Sequence, residues 1–199
     1  MKALGKGSIA SFIRWGLGAA WWVLWIAAAG LALAAIAYVV LLILSAMGII
    51  DASFLNRGHG EFHFGSSGKI NIDFDDSGDA TWPAIITGFL VGGVAIGGAL
   101  VIVFRLRKLF ANFSSGEPFH KSNADHLRAI WIALLVIEVS RYLLMALMGA
   151  LLAAFGQTEH AKLNVHVDLS TWFAILIFIV LAEVFREGAR LREEQELTI

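Results

Sequence analysis

Residues 114–145 read SSGEPFHKSNADHLRAIWIALLVIEVSRYLLM. A short polar turn leads into an apolar run, and that run carries Glu138 and Arg141 deep inside it. A hydrocarbon core of about 30 Å is crossed by roughly 20 helical residues. The run after Arg128 is that long, so it reads as a helix crossing a bilayer, with two charges as its least expected residues. Three further apolar runs of similar length surround it in the chain.

The composition agrees. Of 199 residues, 58% are hydrophobic and 16% charged, and the mean hydropathy is +0.75. Soluble domains are nearer 45–50% apolar and about 25% charged. The longest polar interval is residues 51–83, which leaves no room for a separate soluble domain, so residues 1–199 are expected to form a single integral membrane domain. A net charge of −1 offers no argument for nucleic acid. Cysteine is absent, which removes disulfides, thiolate metal sites and cysteine nucleophiles together. The start, MKALGKGSIASFIRWGLGAAWW, has the basic opening of a signal peptide. Its apolar run continues to about Ile50, well beyond a signal core of about 7–15 residues, and reads as a retained first helix.

The spans are expected at about 17–48, 83–106, 123–155 and 170–187. A short interfacial lead-in over residues 3–16 precedes the first, with Trp15, Trp21 and Trp22 near the headgroups, where indole rings are favoured. The second contains TGFLVGGVAIGGAL. Gly88/Gly92 and Gly93/Gly97 are each spaced i, i+4, which lets a neighbouring helix approach closely, either within the chain or in a homo-oligomer. Ser122 and Asp125 form an S-x-x-D capping box at the start of the third.

Between spans, two segments alternate with period two, the mark of a half-buried strand. Phe62 and Phe64 alternate with Glu61 and His63; after a Gly65–Gly68 turn, Ile70, Ile72 and Phe74 alternate with Lys69, Asn71, Asp73 and Asp75. Leu163, Val165 and Val167 repeat the pattern later. An outer hairpin at about 60–75 and an outer strand at about 162–168 are therefore expected to form a small three-stranded antiparallel sheet, its apolar face capping the helices. The fold class is an all-α membrane protein of four transmembrane helices with this extracytoplasmic sheet.

Basic residues set the orientation. Lys2, Lys6, Arg14, Arg105, Arg107, Lys108, Lys121, Arg128, Arg186, Arg190 and Arg192 fall on one side, against Arg57, Lys69 and Lys162 on the other. The positive-inside rule then places both termini in the cytoplasm. A glycosylation sequon at Asn112-Phe113-Ser114 falls on the inside and is set aside.

Glu138 and Arg141 share a helix face at i, i+3. Charges at mid-bilayer cost at least a few kcal/mol and face protein or water. Two readings follow: an ion, proton or polar-ligand path, or a mutually neutralising pair that fixes helix register. Outside, His63 and His166 lie on the polar strand faces and are weak zinc candidates, without a compact ligand motif, so no metal and no cofactor is expected. Arg105, Arg107 and Lys108 attract anionic lipid, as most juxtamembrane links do. No P-loop, G-x-S-x-G, dinucleotide fingerprint or kinase signature is present, and no enzymatic activity is expected.

Gly116-Glu117-Pro118-Phe119, then Asn123, then Leu127-Arg128 with Trp131 shortly after, resembles the G-x-P-F…N…L-R segment of a bacterial family catalogued as domain of unknown function 2975. The ending Phe185-Arg186, Gly188-Ala189, Leu191, Glu194 and Leu197-Thr198-Ile199 is similar to that family's F-R-x-G-x-x-L-x-x-E-x-x-L-T-[IV] tail. The likeness runs from about the second helix onward in pattern. It implies a small four-helix membrane protein without an assigned activity, often encoded beside a helix-turn-helix regulator of the Cro/CI type. A regulatory or scaffolding protein that signals to or sequesters such a regulator is then expected, through residues 105–128 and 185–199. The alternative is a small transporter, channel or ligand sensor built on Glu138 and Arg141.

Overall fold

A computed structural model describes the backbone of residues 9–50, 58–63, 68–74, 81–115, 119–154, 161–165 and 168–196. Four helices dominate it: α1 (Ile9–Ala46), α2 (Thr81–Ser114), α3 (Lys121–Ala154) and α4 (Leu169–Glu196). All four are long and apolar enough to cross a membrane, and the chain is a multi-pass membrane protein.

α1 begins earlier than the expected span, and α2 and α4 run well past theirs. The lead-in from Ile9 is continuous with α1 rather than a separate interfacial piece. α2 passes through RLRKLFANFS, a stretch free of glycine and proline, to Ser114. α4 continues to Glu196, and its polar end carries the i, i+3 pairs Glu183–Arg186 and Glu187–Arg190 and the i, i+4 pair Arg190–Glu194. α1 does have a stop. Gly48 adopts φ +71°, with Gly48 N–H donating to Ser45 and Ile49 N–H to Leu44. That is a Schellman closure, which wants glycine at its left-handed position.

α3 begins differently from the expected capping box. Lys121 is its first residue, and His120 caps it: its Nδ1 accepts the Ser122 N–H at 3.2 Å and its carbonyl accepts the Asn123 N–H at 2.9 Å. Ser122 lies inside the helix, so its hydroxyl is free to meet His120 Nδ1 at 2.7 Å and the Asn112 amide at 3.2 Å instead.

The fold-class expectation needs correction. Nearly all residues whose side chains are described lie in the four helices, and none lies in a β-strand. Strand pairing appears in the backbone alone: β1 (Gly58–His63), β2 (Gly68–Phe74) and β3 (Ala161–Val165) run antiparallel in that order, with Phe62 opposite Ile70 and Ile70 opposite Leu163. The expected ends at Gly65 and Asp75 lie outside the described residues, and Asp168 is not in a strand. An apolar sheet face closing the helices is no part of the described packing. The chain is a helical membrane protein.

Two compact units divide the chain. One comprises Met1–Ala27, Ile96–Ile137 and Leu169–Ile199; the other Ala28–Ala95 and Glu138–Asp168. In the first, Leu109, Leu127 and Ala182 are buried among Phe110, Phe113, Trp131, Phe178 and Phe185. In the second, Tyr38 packs on Phe89 at 6.0 Å, and Met145 and Met148 are buried. Elsewhere the helix surfaces are apolar and open, as at Trp22, Ile26, Leu33, Ile36, Phe173 and Val180. Water would disfavour so much apolar surface, whereas lipid tails are as apolar as these side chains.

Candidate functional site

The two sequence motifs, some 70 positions apart, meet in the first unit. Phe119 follows the turn after α2 and packs on Phe185 of α4 at 5.8 Å. Phe185 in turn stacks on Phe113 of α2, 5.8 Å between centroids and 18° between planes. One turn beyond Phe185 lies Gly188, where a Cβ would stand 2.7 Å from the Phe119 ring. The glycine of the F-R-x-G tail is therefore the floor on which the phenylalanine of the G-x-P-F segment rests.

Polar contacts lock the same corner. Asn123 is fully buried and accepts a 2.6 Å hydrogen bond from the Asn112 amide. Leu127, one turn on, enters the core. Lys121 and Glu193 join α3 to α4 through an exposed ion pair of 2.9 Å. Such a pair adds orientation more than stability.

Beside this corner the charged motif residues turn outward. Arg128 and Arg186, with Asp125, Trp131 and Glu183, line a cavity of about 300 Å³ between α3 and α4. A second, of about 540 Å³, shares Asp125 and Arg186 and adds Lys121, Glu187, Arg190 and Glu193. The two make a groove of alternating charge over an apolar floor. Chemically it suits a peptide or helix carrying both signs of charge.

The remaining expected residues are distributed as follows. Leu191 is exposed, and Glu194 reaches Arg190 at 3.4 Å. Gly116, Glu117, Pro118, Leu197 and Thr198 lie outside the described residues, as does His166. His63 is described by its backbone, opposite Lys69. Among the described residues no group of three His, Cys, Asp or Glu gathers to hold a metal.

In the second unit Glu138 is completely buried and takes a 2.7 Å ion pair from Arg141, itself mostly buried. The i, i+3 spacing lets each charge neutralise the other on one helix face.

The glycines of α2 divide. A Cβ at Gly92 would meet the Leu31 side chain of α1 at 3.2 Å, while Gly93 and Gly97 have nothing within 4 Å of that position. Gly88 is half-buried. The tightest contact is one the i, i+4 pattern skips: at Gly98 a Cβ would lie 2.4 Å from Ile137. Its signal was present in the doubled Gly97-Gly98, which puts one glycine on each of two faces. Asn112 and His120 were also missed as partners of α3. A sequon and a link histidine carry no pairing signal of their own.

A family model described as a protein of unknown function, DUF2975, matches residues 73–199. No curated protein and no solved structure matches the chain.

Proposed function

This chain belongs to the DUF2975 family, and we propose that it is a regulatory or scaffolding membrane protein that holds a soluble protein partner at the bilayer. The groove between α3 and α4 is the docking surface. The observation that carries the reading is the convergence of both motifs: Phe119, Phe185 and Gly188 brace one corner, and Arg128 and Arg186 present charge beside it. The resemblance of those motifs points to a helix-turn-helix transcription regulator as the partner. Under this proposal the protein performs no catalysis, and DNA is engaged by the partner alone.

The orientation belongs to the same proposal. Eleven basic residues on the side of the groove, against three on the other, support cytoplasmic termini in a bacterial inner membrane. The groove then faces the compartment that holds soluble regulators.

The test is co-purification of the full-length protein from native membranes in mild detergent. Arg128→Ala with Arg186→Ala removes two exposed groove cations and leaves the aromatic brace intact. Retention of a soluble DNA-binding protein by wild type and its loss from the variant is the expected result. Identical bare preparations from both would end the docking proposal. A solute path through Glu138 is the second reading, favoured by a fully buried carboxylate. Arg141 satisfies that carboxylate directly, which makes a register-fixing pair the stronger account.

A further inference from the structure

Three cations converge where α1 meets α2, on a face the docking groove does not use. Arg14, Phe104, Arg107, Lys108 and Ala111 line a cavity of about 410 Å³. A neighbouring cavity of about 550 Å³ is bounded by Arg14, Trp15, Gly18, Trp22 and Arg107. Arg14 and Arg107 belong to both. Among the described residues no carboxylate lines either cavity, and none of the three cations takes an ion pair. This contrasts with α4, where Arg186 and Arg190 sit on glutamates.

The aromatic surroundings fix how the cations are held. Arg107 lies over the Trp21 ring at 5.6 Å, Lys108 over Phe104 at 4.5 Å, and Trp21 packs on Phe104 at 5.8 Å. Cation–π contacts orient a guanidinium and an ammonium without neutralising either. Trp15 and Trp22 are 75% and 70% exposed, so two indoles flank the charged cavity with their rings open. Indoles are favoured at the headgroup level of a bilayer. Past Trp22 the open α1 surface is apolar through Val23 and Ile26.

We propose that this cavity pair is a binding site for an anionic phospholipid. Its phosphate lies among Arg14, Arg107 and Lys108, its glycerol region lies beside Trp15 and Trp22, and its acyl chains run along α1. The order of surfaces is that of the lipid itself: charge, then amphipathic ring, then hydrocarbon. A guanidinium binds a phosphate diester through paired N–H donors, which zwitterionic lipids offset with their own cation. A soluble phosphate would use the same cations and none of the tryptophan or apolar surface.

Native mass spectrometry of the detergent-purified full chain tests this, with phosphatidylglycerol and phosphatidylethanolamine of matched chains as probes. Wild type is expected to retain phosphatidylglycerol preferentially. Because each surface cation contributes roughly a fivefold factor to anionic-lipid affinity, Arg14→Gln should lower retention about fivefold and the Arg14→Gln/Arg107→Gln/Lys108→Gln variant about a hundredfold. Arg14→Gln guards against a folding failure, since Arg14 is exposed and Arg107 and Lys108 keep their ring contacts. Arg190→Gln on α4 should leave retention unchanged. Equal retention of the two lipids, retention indifferent to Arg14→Gln, or displacement of the lipid by millimolar inorganic phosphate would each overturn the assignment.

Discussion

The Phe119 ring rests on Gly188, leaving no room for a Cβ: an alanine methyl there would come within 2.7 Å of Cδ1. Phe119 is also partly exposed, so it has somewhere to go. Gly188→Ala is therefore expected to swing the ring off Phe185 and cost about 1 kcal/mol, at the lower end for overpacking. In a Phe119→Ala background the same substitution should cost little. A double-mutant cycle by thermal unfolding in detergent measures the difference, and additivity would show that the two residues do not meet.

Gly98 faces a harder neighbour. Ile137 stands 2.4 Å from where a Cβ would be, on the adjacent helix. Gly98→Ala should destabilise by about 1–3 kcal/mol, and Ile137→Ala should recover much of that. Gly93→Ala and Gly97→Ala meet open space and should leave the monomer's stability unchanged. If either lowers the protein's mass by light scattering, that glycine face lies in a contact between copies.

Breaking the Glu138–Arg141 pair differs from replacing it. Glu138→Gln or Arg141→Gln alone leaves one charge buried without its counter-ion and should cost about 3–5 kcal/mol. Glu138→Leu with Arg141→Met removes both and is expected to be close to neutral or stabilising. Chemical unfolding separates the cases. A double variant as unstable as the singles would mean that each charge depends on partners other than the other.

Asn112→Ala removes the 2.6 Å hydrogen bond to buried Asn123. The expected loss is about 0.5–1.5 kcal/mol, the net contribution of one such hydrogen bond. Asn112→Asp should fare no better, because it sets a carboxylate against the Asn123 carbonyl oxygen. Hydrogen exchange at the start of α3 reports the loosening directly.

Much of this architecture was legible in the chain. Apolar runs announce spans because the bilayer demands about 20 residues of one kind, and Glu138 and Arg141 stand out against such a run at a spacing that itself implies pairing. The polar ends were read too short. Arg105–Ser114 and Arg186–Glu196 look like loops by composition, yet both continue as helix, the first free of glycine and proline and the second through Gly188. Alternation in the outer segments led to the expectation of a sheet capping the helices, which had to be corrected, because period two says which residues share a face and nothing about what lies against it. Phe119 and Gly188 were each picked out by motif. Their contact was not, since no local rule links positions so far apart. His120 escaped for a different reason: its ring replaces the serine hydroxyl that a capping box leads one to expect.

The contact between Gly92 and Leu31 has a consequence beyond the matched segment. The family match starts at residue 73, so α1 lies outside it while Gly92 lies within. The 3.2 Å allowance at Gly92 nonetheless belongs jointly to both positions. A bulkier residue at 92 therefore has to be accommodated by a shift of Leu31, so a helix outside the matched segment shares its volume with a residue inside it.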